Sequence, residues 1–236
     1  MSSTQTQLQG KLLKFIRDRQ YEQGERLFSE REFAEKFSTT RAAVREAITA
    51  LEALRIIERR KHSGIYLRDL NADASIDALV LEVNAGIHQS SEQIESAIEL
   101  RGVLEIGAIR HAAVRRSESD LELLSQILDA SENKLLEGDD IRAEDVNFHK
   151  AIVGSTGNTL LVRVVNWFYE FSNERRKQYF SDYNFSLISH SEHQQIFEAL
   201  RQGDPEACAA SMRNHLLHTS KVWSVILKNP ENRGKS

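Results

Sequence analysis

Ser29-Glu30-Arg31-Glu32-Phe33-Ala34-Glu35-Lys36-Phe37, then Ser38-Thr39-Thr40, then Arg41-Ala42-Ala43-Val44-Arg45-Glu46-Ala47-Ile48 is the stretch that decides the fold. Two helical patterns separated by a short polar break are the sequence form of a helix-turn-helix. Ser29 and Glu32 stand three apart as a capping box, and Phe28 and Phe33 are placed to staple the first helix at its start. In the second helix Val44, Ala47, Leu51 and Leu54 share one face. Arg41 and Arg45 lie one turn apart beside that face, a spacing that lets two guanidiniums reach guanine edges or phosphates in one groove. Two β-prone runs, Ile56 to Arg60 and Ile65 to Arg68, flank Lys61-His62-Ser63-Gly64. They predict a basic hairpin with Gly at its turn.

Outward from this stretch, residues 5–19 predict an amphipathic helix with Leu8, Leu12, Phe15 and Ile16 on one stripe, followed by a loop at Gly24. Downstream, Asp69 to Ser75 is polar and aperiodic and reads as a linker with an N-cap near Asp73 or Ser75. The remainder reads as helices only. They are Ile76 to Val83, Ser90 or Ser91 to about Arg115, Ser117 or Ser119 to near Gly138, 141–153, Asn158 to about Tyr179, Ser186 to Arg201, and Pro205 to about Leu227. The chain has two prolines, and both sit near helix ends, as an all-α bundle requires. The expected architecture is therefore mainly α. It has a winged helix-turn-helix domain at 1–70, a linker at 71–78, and an all-helical domain at 79–230.

The charge divides with these domains. The whole chain carries a net −4, but residues 1–70 hold 14 Lys and Arg against 10 Asp and Glu, a net +4. The rest holds 17 against 25, a net −8. A basic head on an acidic body suits duplex DNA at one end and something else at the other. The composition, 40% hydrophobic and 28% charged, is that of a globular protein, with no apolar run long enough to span a membrane and no signal-peptide pattern. A single cysteine, Cys208, excludes an internal disulfide, suits a cytoplasmic location and reads as a small buried residue.

In the body, Asp145 and His149 stand i, i+4 on one helix, while His193 and His215 fall on two later ones. If these groups converge they form a divalent-metal site for zinc, nickel or manganese. If they do not, Asp145 and His149 are a solvated surface pair. Spacing alone leaves both open. Trp167 and Trp223 read as core residues.

The head motifs, from Glu30-Arg31-Glu32-Phe33-Ala34-Glu35 through Arg41-Ala42-Ala43-Val44-Arg45-Glu46-Ala47-Ile48 to Gly64, resemble the winged helix of the GntR family of bacterial transcription regulators. Residues 90–220 resemble the helical effector domain of its FadR branch, a resemblance that assigns effector binding and dimerisation to the domain at 79–230. The matching pieces are Glu99-Leu100-Arg101, Asp145-Val146-Asn147-Phe148-His149, Gly157-Asn158, Glu192-His193, Gly203-Asp204 and Asn214-His215-Leu216. The resemblance implies a non-enzymatic homodimer on a palindromic DNA operator. Thr40, Arg41 and Arg45 would lie in the major groove, Arg31 on phosphate, and His62, Ser63 and Gly64 at the minor groove. It also implies a metal, zinc first, on Asp145, His149, His193 and His215. Arg101 would face a small organic acid effector beside that metal, or else pair with Glu105 or another helix. His190 and His218 read as rim or surface residues. Two other functions use the same cluster: a metal-dependent enzyme that activates water, and a regulator that senses the metal directly.

Overall fold

A computed structural model describes residues 3–228 and separates the chain into two compact units, one ending at Gln89 and the other starting at Ser90. In the first unit, α1 (Ser3–Asp18), α2 (Glu30–Lys36) and α3 (Arg41–Ala53) precede the antiparallel pair β1 (Ile57–Arg60) and β2 (Gly64–Leu67), and α4 (Ile76–Asn84) follows. The capping box at Ser29 forms in both directions, a feature that contributes about 1 kcal/mol. Phe28 meets Phe33 with ring centroids 5.6 Å apart, so the staple forms as well. Phe15 of α1 joins both rings and Phe37. These rings lie in a core with Leu12, Leu13, Val44, Ala47, Ile48 and Leu51. Leu54, expected among the buried residues, is only half-buried at its edge.

The hairpin pairs Ile57 with Leu67 and Arg60 with Gly64. The segment before α2, expected as loop, adds a third edge: Leu27 donates its amide to the Ile65 carbonyl, Leu67 donates its amide to the Glu25 carbonyl, and Arg26 bridges Tyr66. Gly64 has φ +135°, and a Cβ there would come within 2.8 Å of the Arg26 guanidinium. The glycine at the wing is therefore required first by the wing's own packing.

The expected division at 71–78 differs from the structure. Ala78 and Leu81 of α4 belong to the core of the first unit, and the Glu82 carboxylate pairs with Arg17 of α1. Asp69 to Ser75 is tied down too, with Arg68 on Asp73 at 3.3 Å and the Ser75 amide on the Leu54 carbonyl. Apolar burial moves this helix out of the effector domain and into the head. Residues 229–230 of the expected effector domain lie outside the described residues.

The second unit contains α5 (Ser91–Arg115), α6 (Glu118–Glu137), α7 (Arg142–Gly154), α8 (Thr159–Phe171), α9 (Asn173–Tyr179), α10 (Tyr183–Gln202) and α11 (Pro205–Lys228). Capping boxes at Ser90 and Ser117 open α5 and α6. Gly138 and Gly203 close α6 and α10 in the left-handed region, as glycine does at such ends. One core packs α5, α6, α7, α10 and α11 around Ile109, Leu124, Phe148, Ile152, Ile196 and Leu200. Cys208 is buried there with its thiol pushed up to about 11 by burial, an inert packing residue.

Two boundaries differ from expectation. The helix expected from Asn158 to Tyr179 is broken at Ser172, with neither Pro nor Gly to mark the break. The next helix starts at Tyr183 on an Asp182 cap, because Asp182 accepts the Asn184 amide while Ser186 is fully buried. No helix among the described residues is long and apolar enough to cross a membrane.

Candidate functional site

The interior of the helical unit brings together the Asp and three His. Asp145 and His149 share a face of α7, and His193 of α10 and His215 of α11 meet them; all four are buried. One ligand atom from each lies within 4.8 Å of every other. The Asp145 Oδ1 oxygen is 3.4 Å from His193 Nε2 and 3.7 Å from His149 Nε2. The solvated-pair alternative is thereby removed.

The surroundings prepare these atoms as ligands. Glu105 on α5 places Oε2 2.7 Å from His149 Nδ1, and Glu192 on α10 places Oε2 2.7 Å from His215 Nδ1. A carboxylate at Nδ1 fixes the ring and turns the Nε2 lone pair inward. Phe148 stacks on His193 at 4.4 Å. The other oxygen of Asp145 is held by Arg176 of α9 at 2.7 Å.

Burial, followed by the neighbouring His149, pushes the His215 pKa down to about 3. Burial and then His215 push His193 well below the ordinary range. Both rings are therefore neutral, the form that binds a cation. Burial alone would raise Asp145, but Arg176 and the imidazoles hold it far below the usual carboxylate range. Glu105 is likewise kept ionised against burial, chiefly by Arg101. Glu192 goes the other way, up to about 6, because burial outweighs the pull of His218. His193 Nε2 and His215 Nε2 are buried and have no hydrogen-bond partner. Two orphaned lone pairs beside a carboxylate oxygen are costly unless a cation takes them. The residues present fit a divalent metal.

Arg101 extends from α5 into the same space. Its Nε binds Glu105 at 3.0 Å, and its Nη2 lies 3.0 Å from His149 Nε2 and 3.2 Å from the Tyr169 hydroxyl. Arg101 thus pairs with Glu105 and also faces the cluster. Beside it opens a cleft with an empty volume, solvent at its mouth included, of about 570 Å³. Arg101, Asp145, Arg175 and Arg176 supply its charge, and Phe168, Leu216 and Trp223 supply apolar wall. Trp223 is buried as expected but also faces this cleft, whereas Trp167 is half-buried and stacks on Phe171 at 5.5 Å. His190, expected at the rim or surface, is instead buried with Nδ1 3.1 Å from the Ser131 hydroxyl. His218 is half-buried near Glu192.

Sequence reasoning gave Glu192 no role beyond its place in a motif, and missed Tyr169, Arg175 and Arg176. An adjacent pair of arginines in a charged helix carries no spacing signal, and the break at Ser172 decides where they point.

In the head, Thr40 caps α3 by accepting the Ala43 amide at 3.1 Å. Arg41 and Arg45 are exposed on α3, and Arg45 is held by Glu30 of α2 at 2.9 Å. Arg31 is exposed and 3.7 Å from Glu35. At the wing tip His62 adopts a left-handed backbone with φ 58°, and the Ser63 hydroxyl is 2.6 Å from that of Tyr66.

Comparison with known proteins adds the lineage of both units. Residues 4–67 match the family described as bacterial regulatory proteins, gntR family, and residues 96–218 match the FCD domain. The chain is 29% identical over 214 residues to the HTH-type transcriptional regulator LutR of Bacillus subtilis, spanning 89% of this chain and 96% of that protein. It is 31% identical over 203 residues to the Uxu operon transcriptional regulator of Escherichia coli, spanning 83% and 77%. The Listeria monocytogenes protein Lar shares the fold with a TM-score of 0.66 at 20% identity, over 96% of this chain and 99% of that one.

Proposed function

This chain belongs to the GntR family of bacterial regulatory proteins and carries an FCD domain, which makes it a DNA-binding transcription regulator and not an enzyme; we propose that it answers to a small carboxylate held beside a divalent metal ion. The observation that carries this reading is the buried convergence of Asp145, His149, His193 and His215 with two imidazole nitrogens left unpartnered. These four residues would hold the ion, zinc first, with nickel or manganese as alternatives. A bound divalent ion supplies a Lewis-acidic charge to which a carboxylate can bind. His149 Nε2 has one lone pair, which now accepts from Arg101. With an ion on that lone pair, the Arg101 Nη2 group would be free to face the acid, and the planar guanidinium suits carboxylate capture.

A homodimer on a palindromic operator follows from the same reading. Val103 and Val114 project from one face of α5, 70% and 73% exposed, and Leu160 and Val164 project from α8. Exposed apolar side chains of this kind suit contact with a second copy. In the head, Thr40, Arg41 and Arg45 would enter the major groove, Arg31 would bind phosphate, and His62, Ser63 and Gly64 would approach the minor groove. The acid changes operator affinity to the extent that it prefers one of the protein's arrangements.

Metal analysis of the purified protein before and after chelation, followed by a melting-temperature screen against acid metabolites, tests this. One ion per chain, and an acid that raises the melting temperature only in the metal-loaded protein, are expected. A chain that takes up no divalent ion overturns it.

A further inference from the structure

We propose that Arg175 is a second anion-binding group of the effector cleft, and that the effector consequently carries two acidic groups. The proposal rests on the reading that an acid binds beside the ion, and it adds the chemical class of that acid.

Three guanidiniums line the cleft, and two are already matched. Arg101 has Glu105, and Arg176 has Asp145. Arg175 has no carboxylate partner among the described residues. Its Nε and Nη2 are buried and make no hydrogen bond. Its guanidinium lies over the Phe171 ring, 5.5 Å away, which satisfies charge only in part. Arg101, the charge that acts on it, is itself a cation, and burial together with that repulsion brings the Arg175 pKa down to about 10. A half-buried guanidinium with two of its three nitrogens out of water and unpaired is unfavourable unless an anion completes it. The neighbouring Ser172 hydroxyl, on the same cleft wall, is also buried and unpartnered.

Charge balance points the same way. Glu105 and Asp145 are paired with Arg101 and Arg176, so Arg175 is the surplus among the guanidiniums of the cleft. A divalent ion on the Asp and His cluster adds two more positive charges. One carboxylate leaves most of that surplus standing, whereas a dianion with one group at the ion and Arg101 and the other at Arg175 removes most of it. The hydroxyls of Tyr179, Ser189 and Thr219 are grouped in the cleft lining and offer polar contacts to a hydroxylated chain.

The test is calorimetric titration of the full-length, zinc-loaded protein with two matched pairs, malate against 3-hydroxybutyrate and galactarate against galactonate. In at least one pair the diacid binds about tenfold or more tighter than its monoacid partner. Arg175→Met costs that diacid about ten- to a hundredfold, the range of a hydrogen bond to a charged group, and costs the monoacid less than about threefold. Arg175→Lys, which keeps the charge and loses the fork, falls between. In the metal-free protein Arg175→Met melts at or above the wild type, because it deletes an unpaired buried charge. Equal binding of diacid and monoacid in both pairs overturns the proposal and leaves the acid-beside-metal reading standing. So does an equal loss for both acids, or a metal-free Arg175→Met that melts well below the wild type. If the protein takes up zinc and binds none of the four acids, both fall.

Discussion

Replacing Glu105 by Gln removes one negative charge from a buried carboxylate that three side chains face. Glu105 accepts from Arg101 Nε at 3.0 Å and from the Tyr169 hydroxyl at 2.7 Å, and faces His149 Nδ1 at 2.7 Å. The Arg101 guanidinium would then be buried without its counter-charge. Breaking a buried ion pair from one side costs about 3–5 kcal/mol. Gln retains the shape and some hydrogen bonding, so the lower end, about 3 kcal/mol, is expected in the metal-free protein. A second loss appears when zinc is added. The mutant no longer fixes the His149 ring by charge, and loss of such an outer partner weakens metal binding about 10–100-fold. Urea unfolding with chelator measures the first effect, and zinc titration of the folded protein measures the second. Glu192→Gln is the internal comparison. That carboxylate is less buried and is pushed up to about 6 by its surroundings, so its loss should cost well under the Glu105 value. An unchanged urea midpoint for metal-free Glu105→Gln would refute the idea that this carboxylate holds the cluster together.

Further expectations concern the head and the response to acid. Arg45→Ala should cost about 1–3 kcal/mol of discrimination on a selected operator if Arg45 pairs with guanine, as a gel-shift series with point-mutated duplexes will show. Glu30→Gln frees the same guanidinium from its ion pair, and duplex binding at low salt should tighten by up to about fivefold, the worth of an exposed pair; weaker binding would mean that Glu30 orients Arg45 instead. Metal-free protein should lose stability as pH falls below about 6.5. His193 and His215 have folded pKa values lowered from 6.5, His215 to about 3. In that window the unfolded chain binds protons that the native state does not. Asp145 and Glu105, also depressed, extend the loss to lower pH. Denaturant midpoints that rise or stay flat between pH 6.5 and 4.5 would contradict this.

Local chemistry made the head legible. The Ser29–Glu32 box and the Phe28–Phe33 contact each depend on a few residues of chain, and both form as read. The Asp and His cluster was legible as residue types, and resemblance supplied their grouping; spacing could not, because three separate helices must pack before the imidazoles meet. What stayed hidden depends on tertiary structure. Ala78 and Leu81 are apolar enough to join either unit, and only packing assigns them to the head. The break at Ser172 has no Gly or Pro behind it, yet it decides that Arg175 and Arg176 face the cleft. Glu105 was visible as an i+4 partner of Arg101, but its grip on His149 required α5 and α7 side by side.

The most direct test of the account is the response of operator binding to the ion and the acid in wild type and in His193→Ala. A duplex selected by the protein from a random pool is titrated with metal-free, zinc-loaded, and zinc- and acid-loaded protein, the acid being whichever one raises the melting temperature. Wild type should bind the duplex in all states and change affinity by about fivefold or more when zinc and acid are both present, a coupling of ordinary size. His193→Ala should bind the duplex and ignore both additions. If the variant responds as the wild type does, the Asp145, His149, His193 and His215 cluster is not the switch.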